Sequence, residues 1–101
     1  MPFVIVVLPS AKSDLQSAAD WYEKKQFGLG KRFSEEIIKA IDSIDNPVKE
    51  YGSAFLNLSR IFVKHFPYII YFRKDLSRQR IIVYAILHDK QDRELILKER
   101  F

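Results

Sequence analysis

The chain has 101 residues, 48% of them hydrophobic and 14% aromatic, a composition that supports one hydrophobic core and excludes a disordered polypeptide. Its formal charge of +4 is unevenly spread: residues 1–59 carry 7 Lys/Arg against 8 Asp/Glu, and residues 60–101 carry 10 against 5. There is no cysteine, which excludes disulfides and thiolate metal sites, and the N-terminal run "FVIVVL" is too short to span a bilayer. That run also lacks the basic leader and small-residue cleavage site of a signal peptide, so the expectation is a soluble, cytoplasmic domain spanning residues 1–101, without membrane association. The basic second half calls for an acidic partner, either nucleic acid or an acidic protein segment.

In chain order, residues 3–8 form a continuous β-branched apolar run, which predicts a strand buried on both faces or lying at a sheet edge. Pro9 and Ser10 break it, and either Ser10 or Ser13 is expected to cap a helix; Ser13 with Gln16 has capping-box spacing. Leu15, Ala18, Ala19 and Tyr22 then recur at helical spacing over residues 11–26. In "FGLG", Gly28 and Gly30 are expected to take the positive φ of a tight helix-to-helix turn. Phe33, Ile37, Ala40, Ile41 and Ile44 make a second stripe that stops at Asn46-Pro47, because the residue before a proline disfavours the α region. These two segments predict an antiparallel helical hairpin.

From residue 60 the period changes. "RIFVK" alternates, "YIIYFR" is aromatic and β-branched, and "RIIVYAIL" is apolar on both faces, as a central strand would be. "KDLSRQ" supplies the turn between the last two, and the tail "RELILKERF" fits either a short helix or a last strand. The predicted architecture is therefore α+β, in the order βααβββ, with the helical hairpin packed on a mainly antiparallel sheet.

Alternation sets Arg60, Phe62 and Lys64 on one face and Ile61 and Val63 on the other. With the aliphatic pair facing the helices, the outward face reads cation, aromatic, cation, which suits phosphate binding and base stacking; an ordinary solvated sheet surface reads the same way. Arg73, Lys74, Arg78 and Arg80 surround the next hairpin, either as separate solvated cations or as a continuation of that patch. His88 has the chemistry of a general acid or base, and its other reading is a residue that ends the strand and orients the tail through hydrogen bonds. No carboxylate–histidine set has metal-site spacing, and there is no phosphate-binding glycine loop or nucleophile elbow, so neither a metal nor a cofactor is expected.

Several segments, in order and covering nearly the whole chain, resemble the RelE/ParE superfamily of toxins from bacterial type II toxin-antitoxin systems. They are Asp14-Leu15 with Trp21-Tyr22, "LGKRF" at 29–33, Asn46-Pro47, Arg60 ahead of "FPYIIYF" at 66–72, and "VYAILH" at 83–88. The resemblance implies a toxin neutralised by a cognate antitoxin whose acidic, flexible segment wraps around it in a hetero-oligomer. It also implies one of two activities: a ParE-like poison of DNA gyrase, acting by binding, or a RelE-like, metal-independent endoribonuclease that cleaves mRNA on the ribosome.

For the ribonuclease the candidate residues are Arg60, Lys64, Arg73 and His88. For target or antitoxin binding they are Arg60, Phe62, Lys64, Arg73, Arg78, Arg80, Lys90 and Arg93. Ribonuclease members tend to carry an arginine on the strand that here reads Tyr68-Ile69-Ile70, where the nearest cation is Arg73. ParE-like members follow the histidine, after two residues, with Arg-Asp-Pro. This sequence has Gln91 in the arginine's place and Arg93 in the proline's, with Lys90 or Arg93 able to replace the missing cation. The ParE-like reading leads, and His88 is expected to be a structural residue.

Overall fold

A computed structural model of the protein describes residues 3–45, 52–53 and 57–100. Its elements are β1 (Val4–Val7), α1 (Pro9–Lys25), α2 (Leu29–Asp42), β2 (Gly52–Ser53), β3 (Ser59–Phe62), β4 (Tyr68–Asp75), β5 (Arg80–His88) and α3 (Arg93–Arg100). The predicted α+β order is present, with a two-residue strand added before β3 and the tail resolved as a helix. The sheet order is β1-β5-β4-β3-β2; β1 lies parallel to β5, with Val4 opposite Arg80, and the other pairs are antiparallel. β1 is thus an edge strand, while β4 and β5 are interior and buried on both faces.

Local chemistry corrects the expected cap of α1 and the expected role of Gly30. Neither Ser10 nor Ser13 caps α1: Leu8 is the N-cap without a side-chain bond, and Pro9 opens the helix, where its preset φ fits and its missing N–H costs nothing. Of the two glycines in the turn, only Gly28 has the left-handed φ, at 85°. Gly30 is helical, and it is small because α1 and α2 touch there: a Cβ on Gly30 would stand 2.5 Å from the Ala19 carbonyl oxygen. α2 stops at Asp42 and continues as a 3-10 turn over Ser43–Asp45; the stop expected at Asn46-Pro47 lies outside the described residues. At the other end of the chain, Asp92 Oδ1 accepts the Leu95 N–H at 3.1 Å and so caps α3, settling a tail whose pattern was ambiguous.

The sheet has two covered faces. Ala11, Ala18, Phe33, Ile37, Ile41 and Ile44 of the hairpin and its 3-10 turn meet Ile70, Phe72, Ile81, Val83 and Ile86 on one face. On the other, Leu97 of α3 packs with Leu58, Ile69, Tyr71, Ala85 and Leu87. Each Val, Leu, Ile or Phe side chain so buried contributes about 1.5–3 kcal/mol of transfer free energy before entropy is subtracted.

One irregularity decides which face the end of β5 presents. Tyr71 pairs with Ala85 but Phe72 pairs with Val83, so Tyr84 is an extra residue, a bulge. Alternation changes phase across it. Ile81 and Val83 face the hairpin, Ala85 and Leu87 face α3, and Ile86 returns to the hairpin.

Candidate functional site

Three arrangements of polar side chains surround this frame. The first is a clasp between α1, β5 and α3. Past the bulge β5 has no partner on its β1 side, because β1 ends at Val7, and Asp14 takes over that role: its Oδ2 accepts the Ile86 N–H at 3.0 Å. Both oxygens of the same carboxylate accept from Arg100, at 2.7 Å each, and Arg100 Nη1 also reaches the Tyr84 carbonyl at 3.3 Å. This bidentate bond raises the Arg100 guanidinium above its ordinary value, against the opposing effect of burial. Asp14 lies on the Ala11/Ala18 stripe of α1, and a carboxylate on a buried stripe was the available signal for it. Nothing in the sequence pattern pointed to Arg100, whose role depends on where α3 docks.

The second is a cleft of about 520 Å³ between α1 and the ends of β4 and β5, lined among others by Asp14, Ser17, Trp21, Tyr68, His88 and Gln91. His88 stands here, on the hairpin side, with its ring edge-on to Tyr68 at 5.2 Å. Its backbone N–H donates to Gln91 Oε1 at 2.7 Å, and its Nδ1 accepts the Lys90 N–H at 3.1 Å, which sets the neutral ring's proton on Nε2. Asp89 Oδ1 is also 3.1 Å from Nδ1. Desolvation holds the Tyr68 phenol above its ordinary value, and the nearby Tyr22 and Asp14 add to this.

The third arrangement occupies the α3 side of the sheet, and most of the predicted cations are there. Arg60 is opposite Tyr71, with its guanidinium carbon 5.5 Å from the Phe62 ring centre. Arg60 Nε is buried and has no hydrogen-bond partner among the described residues. Tyr71, almost wholly buried, bonds to Arg93; burial pushes its phenol up while Arg93 and Arg60 pull it down. Further along, Arg73 lies 5.5 Å from the Tyr84 ring centre, and a recess of about 580 Å³ is lined by Arg73, Arg78, Arg80 and Tyr84. Asp75 anchors it. Hydrogen bonds from Ser77, then Arg80 and Arg78, hold its carboxyl at about 2, below its ordinary 3.8. Lys64 follows β3 and lies, with Phe62, beside Glu36 and Lys39 of α2; Lys90 is exposed in the turn after β5.

The predicted binding residues thus fall mainly on one side of the sheet, while the predicted catalytic set does not assemble. His88 is on the opposite face from Arg60 and Arg73. Strict alternation from Arg80 would have sent His88 to the α3 side among the arginines, and the bulge at Tyr84 reverses it. What surrounds His88 instead is hydroxyls, aromatic rings and a carboxylate already bonded to Arg100, which offers no preorganised positive charge to an anionic transition state.

Residues 5–93 match the family described as the ParE toxin of type II toxin-antitoxin system, parDE. The chain belongs to the ParE toxin family. Among solved structures, a chain of the chromosomal ParDE toxin-antitoxin system from P. aeruginosa shares the fold, with a TM-score of 0.72 at 14% identity, covering 85% of this chain and 95% of that one. The isolated RelE toxin of E. coli aligns over 97% of both chains at 7% identity and a TM-score of 0.49. A search of curated proteins returned no match. The ParE-like expectation is correct at the level of family and fold, and no helix among the described residues is long and apolar enough to cross a membrane.

Proposed function

We propose that this ParE-family toxin arrests growth by binding a DNA topoisomerase of the gyrase type, without chemistry of its own, and that a cognate antitoxin with an acidic segment neutralises it. What supports binding over RNA cleavage is the bulge at Tyr84, which leaves His88 across the sheet from Arg60, Arg73 and Arg93. A nuclease needs its proton-transfer group and its cations around one phosphate. Here the cations form a surface and the histidine ends a strand.

The acidic antitoxin segment is read onto the α3 side. It meets Arg73, Arg78 and Arg80 in the recess and then passes Arg60, Phe62 and Arg93 toward Lys90 and Lys64, at the end of the sheet where the helical hairpin turns. Exposed cations raise the association rate for such a segment, and the half-buried arginines orient it.

Induction of the chain alone in a bacterial host, with DNA and protein synthesis followed separately over the first minutes, tests the reading. DNA synthesis is expected to fall first with transcripts intact. An early loss of protein synthesis with cut transcripts would overturn it and return Arg60, Lys64, Arg73 and His88 to consideration as catalytic groups.

A further inference from the structure

The turn between α1 and α2 carries the most exposed large apolar side chain of the described residues: Phe27 is 95% exposed. A single exposed aromatic is ordinary on a protein surface, but this one stands on a turn whose backbone is tied at several points. The Glu23 carboxylate accepts the Gly28 N–H at 2.9 Å through one oxygen and the Gly30 N–H at 3.0 Å through the other. Gln26 closes on the Tyr22 carbonyl, and the Leu29 N–H closes on the carbonyl of Gln26. Beneath the turn, Gly30 permits contact between the helices, and Tyr22 stacks on Phe33 with ring centres 5.1 Å apart. The backbone that carries Phe27 is therefore tied in place, while its ring projects into solvent.

Charge around it is mainly positive. Lys24, Lys25, Lys31 and Arg32 are exposed on either side of the turn, and the acid among them, Glu23, is turned inward onto the glycine N–H groups. Averaging over the first half of the chain conceals this cluster.

We infer that the hairpin tip is the surface through which the toxin contacts its target, a protein face with an apolar recess for Phe27 bordered by carboxylates for the four cations; this rests on the topoisomerase-binding reading above. An apolar anchor inside a charged rim is how binding energy concentrates in protein interfaces, and a turn whose backbone is already tied needs no further backbone ordering on docking. The cations stand on a convex turn around a protruding ring, whereas a nucleic-acid strand is tracked by a positive groove. One phenylalanine gives too little apolar area for stable residence at a membrane surface.

The test uses full-length toxin and its Phe27→Ala and Lys24→Glu/Lys31→Glu variants, in three measurements: inhibition of supercoiling by purified DNA gyrase, antitoxin binding, and growth arrest on induction. All changed positions are exposed, so thermal unfolding should be unaltered. The expected result is inhibition by the wild type, weakened about tenfold or more in each variant, with weaker growth arrest and unchanged antitoxin binding. Growth arrest as strong in Phe27→Ala as in wild type would overturn the inference. So would a parallel loss of antitoxin affinity, which would assign the tip to the antitoxin, or variants that lose only binding to a short DNA duplex. Wild-type toxin that spares gyrase while Phe27→Ala still relieves growth arrest would overturn the gyrase reading and leave the tip as the contact with a different protein.

Discussion

Asp14 and Arg100 illustrate how two side chains 86 positions apart can decide where a terminal helix rests. Their side chains are 13% and 23% exposed, so water screens the pair less than it would a surface bridge. Removing one partner leaves the other poorly solvated. Arg100→Ala is expected to cost about 1–3 kcal/mol, more than a surface ion pair and no more than a fully buried one. Hydrogen exchange should show the loss as faster exchange at the Leu97 amide of α3, with the amides of α2 unchanged; equal acceleration in both helices would mean that the clasp supports the whole domain rather than α3. Legibility at this scale was partial. Asp14 stood on a buried stripe and could be noticed, whereas Arg100 looked like any cation in a polar tail.

The helical hairpin was the most legible element, because helical spacing of Phe33, Ile37 and Ile41 allows few other structures, and these residues are indeed buried. Its closing turn was less so. Both glycines suggested positive φ, yet only Gly28 uses it, and Gly30 serves close packing instead. The two roles look alike in a sequence and separate under mutation. Gly30→Ala must move α1 away from α2, since the nearest atom is backbone, and about 1–3 kcal/mol of destabilisation is expected in denaturant unfolding. A neutral result would mean that the helices part freely. The strands were legible in number and type except for β2, whose two residues carry no periodic signal.

Across the whole molecule, three tyrosines tie the two cores to alkaline stability. Burial raises the phenols of Tyr22, Tyr68 and Tyr71 above the ordinary 10.0. Unfolded phenols ionise near 10, so the folded state binds more protons above that pH. The stability these groups contribute is full below about 10 and is lost as pH rises from there through their folded values. Phenolate absorbance and far-UV circular dichroism are accordingly expected to change together in the alkaline range. Complete ionisation with secondary structure intact would show that the three rings are open to water.

Composition and periodicity were enough for one α+β domain, its helical hairpin, its interior strand and a basic second half, because each of these depends on side chains close together in the chain. The family could be read as well, since its segments recur in order. Which face a residue occupies was decided only in three dimensions. A bulge is one extra residue opposite a partner strand, and nothing in "RIIVYAILH" marks Tyr84 as that residue; pairing with β4 does. That single step in register carries His88 away from the arginines, frees the Ile86 N–H for Asp14, and so separates the strand end from the basic face.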